Sequence, residues 1–241
     1  MAEQAQVRFG PAVLRRYGGD EPLEHRFRDG GVTGLRVVWD TIGVESLSFS
    51  SEAFPFSGGS MTTLMGSRQA GDMWQLSLTA VADALVDAER RRSFLDFFVG
   101  VADESQAVYA SAEVDGGYFW DGEVSSRYDE GERHAPVWRG YAGRRGNRPV
   151  GLLGLTPYPT WWAWFGGGYR EMLADRLSRP PSSWRVRPTQ AGMLVELAEL
   201  PARRAELQSR LGGLLRTGWV PASLTSARGR PARIRLGSVT E

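Results

Sequence analysis

From Pro149 to Tyr169 the chain carries no charged residue, and this stretch runs into "PTWWAWFGGGYREML". Trp161, Trp162, Trp164 and Phe165 crowd together, and Gly166–Gly168 follow directly. Such a segment has to leave water, into a membrane, a ligand pocket or a core. Its length is close to the roughly 20 residues of a spanning helix. However, Pro157, Pro159 and the glycines at 151, 154 and 166–168 interrupt it, and lipid offers the freed backbone no partner. The glycines do not read as a phosphate cradle, because no strand with G-x-G-x-x-G, GKS or GKT spacing surrounds them. The expectation is a loop whose aromatics plug a core, with glycines allowing tight entry into a helix.

Hydrophobic spacing organises the rest. "GLRVVWDTIG" (34–43) is β-branched, aromatic and bounded by glycines, which reads as a strand. "SLSFS" (46–50) and "MWQLSLT" (73–79) alternate apolar with polar residues, the period of half-buried strands. "FPFSGGS" (54–60) between them reads as a loop. Val81, Leu85, Ala88, Leu95 and Phe98 predict a helix over 80–100 with Gly100 as its stop. A strand over 107–114 would complete a βαβ-type unit, or a layer with the helix on one sheet face. Tyr169, Met172, Leu173 and Leu177 predict a helix over 168–178. Trp184 and Val186, then Met193, Val195 and Leu197, predict a hairpin, and Pro201 opens a helix over 201–215. The fold class expected is α+β, a mixed or antiparallel sheet with helices packed on one face. One domain is expected over 1–241, with an irregular insertion at 115–149 and a basic tail at 222–241.

The insertion carries the most pointed chemistry. Asp115, Asp121, Glu123, Asp129, Glu130 and Glu132 alternate with Tyr118, Phe119, Trp120 and Tyr128. Arg139, Arg144, Arg145 and Arg148 follow. A long loop on a compact domain is usually functional or mobile. Carboxylates beside aromatics point to a protein partner, the charges steering it and the aromatics anchoring it. The partner-binding residues expected are Asp115, Tyr118, Trp120, Asp121, Glu123, Asp129, Glu130 and Glu132.

His25 and His134 are the two histidines, and neither has a companion at metal spacing. Cysteine is absent, which removes disulfides, thiol nucleophiles and thiolate metal sites. No H-E-x-x-H, G-x-S-x-G or S-x-x-K occurs. "YDEGE" (128–132) lacks the spacing of a calcium loop and reads as a solvated acidic run. No cofactor is expected. With 29 basic and 28 acidic residues the net charge is +1, so nothing global draws the chain to nucleic acid or anionic membrane. The tail "SARGRPARIR" reads as solubilising or as an edge strand rather than a phosphate-binding arm. The opening "MAEQAQVRFGPAVLRR" has no apolar run behind a basic start, and a cytoplasmic protein is expected.

The segment "TPYPTWWAWFGGGYREMLADRLSRPPSSWRVRPTQAGMLVELAEL" resembles a pattern in bacterial immunity proteins of polymorphic-toxin and type VI secretion systems. Trp164, Phe165, Gly166, Tyr169, Glu171 and Leu173 match its aromatic stretch and helix-opening core. The helix over 80–99 and the strand over 107–114 sit where that family has a helix and a strand. Gly167 stands where the family's Phe-Gly-Pro-x-Tyr core has proline. The resemblance covers roughly the second half of the chain. It implies a non-catalytic inhibitor that binds a toxin or effector, and no individual contact residue carries over. Two other readings stay open from the residues: an enzyme using carboxylates in the 115–132 region, and a nucleic-acid-binding accessory subunit using Arg139–Arg148 and the tail.

Overall fold

The computed structural model describes residues 2–10, 13–19, 22–42, 46–51, 56–63, 74–114, 118–120, 126–128 and 159–207. Helices and antiparallel sheets make an α+β protein. Its contacts divide the chain into two compact units, 1–101 and 102–241.

The first unit contains α1 (Ala2–Phe9), β1 (Arg16–Gly18), β2 (His25–Arg26), α2 (Phe27–Ile42), β3 (Ser46–Ser50), β4 (Phe56–Thr63) and β5 (Trp74–Ala80). A 3-10 turn (Ala82–Val86) follows, and then α3 (Ala88–Glu104), within which the division between the units falls. The sheet order is β2-β1-β3-β4-β5, antiparallel throughout. Tyr17, Leu47, Phe49, Leu76, Leu78 and Ala80 share one face by register and join Ala5, Phe27, Val38, Phe94 and Phe97 in a single core. The other face takes Ser48, Ser50, Ser60, Thr62, Ser77 and Thr79 by the same register.

Three local expectations are corrected in this unit. Residues 34–42 lie in α2, not in a strand. Val32, Leu35, Val38 and Trp39 all reach the core, and burial of that helical stripe outweighs the β-branched propensity of the run. Gly31, at φ 57° and ψ −152°, interrupts the helix, a conformation open to glycine. Residues 56–60 lie in β4 rather than a loop, because β3 and β5 pair with it on both sides. Gly59 stands between Phe49 and Leu78 in the register. The helix expected over 80–100 is divided: Asp87 is extended, its Oδ1 accepts the Arg90 backbone N–H at 2.9 Å, and α3 continues past Gly100 to Glu104.

The second unit holds β6 (Tyr109–Ala112), β7 (Tyr118–Trp120), β8 (Ser126–Tyr128), β9 (Trp162–Gly166), α4 (Gly167–Met172), α5 (Ala174–Leu177), β10 (Arg185–Pro188), β11 (Gly192–Glu196) and α6 (Arg204–Leu207). Its main sheet has the order β10-β11-β9-β6, again antiparallel. β5 and β6 therefore belong to different sheets, and no βαβ unit forms. The aromatic run is buried as expected, but as the strand β9 rather than a loop. Trp164 is 0% exposed and Phe165 1%, on opposite faces of the strand. The hairpin over 184–197 is β10 and β11, paired from Arg185↔Glu196 to Pro188↔Met193. Of the helix expected over 201–215, α6 is observed, and residues 208–215 lie outside the described residues.

Candidate partner-binding hairpin

Ala112 of β6 pairs with Trp162 of β9. The two ends of the intervening segment 113–161 therefore stand side by side on the sheet. Inside it, β7 and β8 form a separate two-stranded ribbon. The pairs are Tyr118↔Tyr128, Phe119↔Arg127 and Trp120↔Ser126. Paired residues share a face and neighbours alternate. Tyr118, Trp120 and Tyr128 thus fall on one face with Ser126, and Phe119 and Arg127 on the other.

Two of the expected partner-binding residues, Tyr118 and Trp120, are placed together on this ribbon. Asp115, Asp121, Glu123, Asp129, Glu130 and Glu132 lie outside the described residues, as do Arg139, Arg144, Arg145 and Arg148. In sequence, Asp121 and Glu123 lie between β7 and β8, and Asp129, Glu130 and Glu132 come after β8.

The sheet β10-β11-β9-β6 is tied by a polar network. Asp103 Oδ1 accepts from the Thr189 hydroxyl at 2.7 Å and from the Ala191 backbone N–H at 2.9 Å. Its Oδ2 accepts from the Gln190 N–H at 3.2 Å. Thr189 Oγ1 in turn accepts from Trp164 Nε1 at 3.0 Å and from the Gly192 N–H at 3.1 Å. One carboxylate thereby holds the β10–β11 turn, and through it the indole at the sheet's centre. Gly166 and Gly192 are register partners, and a Cβ on either would run into the Trp164 ring. Sequence reading placed the turn but missed Asp103, which lies over eighty residues upstream with no local signal.

On the opposite face, Tyr109 packs against Phe165 at 5.5 Å and Tyr169 at 6.3 Å between ring centres. Burial, reinforced by Tyr109, pushes the Tyr169 phenol well above its ordinary 10.0. Tyr169 lies in α4, and its ring is buried in the core.

His25 stacks on Tyr17 at 5.3 Å. His134 lies outside the described residues. Tyr17 is buried, and its hydroxyl lies so close to α2 that a Cβ on Gly34 would meet it at 2.6 Å. Among the described residues no three His, Asp or Glu side chains are grouped to hold a metal, and no helix is long and apolar enough to cross a membrane. No protein-family model matches the chain, and no curated protein or solved structure does either.

Proposed function

We propose that this chain is a non-catalytic, protein-binding inhibitor of the immunity type, and that the β7–β8 ribbon is its contact element. The observation that carries the reading is the ribbon's register, which gathers Tyr118, Trp120 and Tyr128 on one face. Rigid aromatics grouped this way supply large contact area at low entropic cost. The carboxylates that flank the ribbon in sequence select a basic protein surface and speed its approach. The likeness of residues 159–200 to immunity proteins supports a toxin or effector as that partner. The site of action is then cytoplasmic, where such a toxin would have to be neutralised.

The test uses the full chain as bait for a toxin or effector encoded beside it. A variant with Tyr118, Trp120 and Tyr128 all replaced by serine is compared with the parent at matched folded content. The expected result is at least a hundredfold weaker binding. Undiminished binding by the variant would remove the ribbon from the interface.

A further inference from the structure

Two sheets present four edge strands: β2 and β5 in the first, β10 and β6 in the second. An open edge offers unpaired backbone groups to any other strand, and proteins usually guard it with brevity, charge, proline or a cover. β2 is two residues long and carries Arg26. β10 carries Arg185, Arg187 and Pro188. β6 has four residues, and just beyond it Val114 bridges to Arg203. Among the described residues, β5 has none of these devices. It is seven residues long, "WQLSLTA", with no charge and no proline. Among the described residues, β4 alone pairs with it. Its leucines are also incompletely covered. Leu76 and Leu78 pack on the core yet stay half-buried, whereas Leu47 and Phe49 of β3 are 1% and 6% exposed.

We propose that β5 pairs with β5 of a second copy of this chain, antiparallel, about a two-fold axis through Ser77. The strand matches itself in reverse around that residue. Trp74 meets Ala80, Gln75 meets Thr79, Leu76 meets Leu78, and Ser77 meets Ser77 across the axis. Every apolar pair falls on the core face and every polar pair on the hydroxyl face, as the pairing of β5 with β4 defines them. A register shifted by one residue would set leucine against serine and break this agreement. No charge opposes a like charge, which the arginine-bearing edges β2 and β10 could not achieve. A two-fold axis normal to the sheet keeps both cores on the same side of one continuous ten-stranded sheet. One seven-residue strand pair falls short of the roughly 1,200–2,000 Å² that stable interfaces bury, so the dimer is weak and concentration-dependent.

Sedimentation equilibrium of the full chain, from about 1 μM to about 1 mM, reads this directly. The mass is expected to rise toward twice that of the chain. Ser77→Lys places two ammonium groups face to face only in the dimer, and weakens association at least tenfold with the circular dichroism of the parent retained. Ser77→Asp does the same alone, and an equimolar mixture of the two variants associates more tightly than either. If Ser77→Lys fails to fold, Gln75→Lys/Thr79→Lys sets two like-charged pairs across the same axis and carries the same expectation. A parent that stays monomeric over the whole range overturns the proposal, as do folded variants that associate as the parent does.

Discussion

At the scale of single residues, Gly166 and Gly167 after the aromatic run do different work. Gly166 and its register partner Gly192 leave room for the Trp164 ring. A Cβ at Gly192 would also come within 2.6 Å of the Phe165 carbonyl oxygen, which cannot move without the strand. Gly167 has open space around it but sits at φ +35°, where an L side chain is strained. Chemical denaturation should therefore rank the alanine variants. Gly192→Ala is expected to cost about 3 kcal/mol and Gly167→Ala about 1 kcal/mol. Equal midpoints for the two would mean that the indole shifts freely, against its full burial. Tyr169 adds a pH dependence. Its folded phenol titrates above the ordinary 10.0, so below pH 10 it is neutral in both states and its stabilising contribution is complete. Above that, the unfolded chain loses the proton first and the folded state holds more, so stability falls by up to about 1.4 kcal/mol per pH unit. Urea midpoints from pH 9 to 11 should fall less steeply for Tyr169→Phe. Tyr17, raised by burial and then by Asp29, leaves part of the slope in place. An unchanged slope in the variant would show that Tyr169 titrates normally.

At the scale of elements, legibility followed the length of the periodic signal and the number of its neighbours. The alternation of Leu47 with Phe49 and of Leu76 with Leu78 was readable because polar residues stand between the apolar ones, and the β10–β11 hairpin was readable from the Pro-Thr-Gln-Ala-Gly turn between two short apolar runs. β9 broke that rule. It is buried on both faces, so it shows no alternation, and its tryptophans resemble a plug until pairing with β6 and β11 is known. α2 failed for the opposite reason, because glycines and β-branched residues masked a 3.6-residue stripe visible only from the core side. The candidate site was half legible. Its aromatics and carboxylates stood out by composition, but only the register separates Phe119 from Tyr118, Trp120 and Tyr128. That separation makes a kinetic prediction. Trp120→Ala should speed dissociation from the partner, at a cost of about 2 kcal/mol, with association little changed. Neutralising Asp129, Glu130 and Glu132 together should slow association and flatten its salt dependence. Biosensor traces at two ionic strengths distinguish these outcomes. Phe119→Ala serves as the control, and an equal effect there would contradict a one-faced ribbon.

At the scale of the whole molecule, the second unit separates a scaffold from what it displays. The sheet β10-β11-β9-β6, the Asp103 network, and the packing of Phe165, Tyr109 and Tyr169 all lie within 102–114 and 159–207. Among the described residues, the ribbon pairs with no strand of that sheet. Because Ala112 and Trp162 are already adjacent, the sheet closes whatever the length of chain between them. Loop closure depends weakly on length: halving such a loop lowers its cost by only about 0.6 kcal/mol. Replacing 116–150 with a short Gly-Ser linker should therefore change unfolding free energy by less than about 1 kcal/mol, while partner binding is lost. Phe165→Ala should do the reverse, costing about 3–5 kcal/mol by opening a cavity beneath Tyr109. Its affinity for the partner should stay near that of the parent wherever the chain remains folded. The pair of measurements, denaturant midpoint and partner affinity, places each variant on a separate axis. A linker variant that unfolds would show that the excursion helps to build the core. One that stays folded and still binds would move the interface off the ribbon, first to the arginines at 139–148.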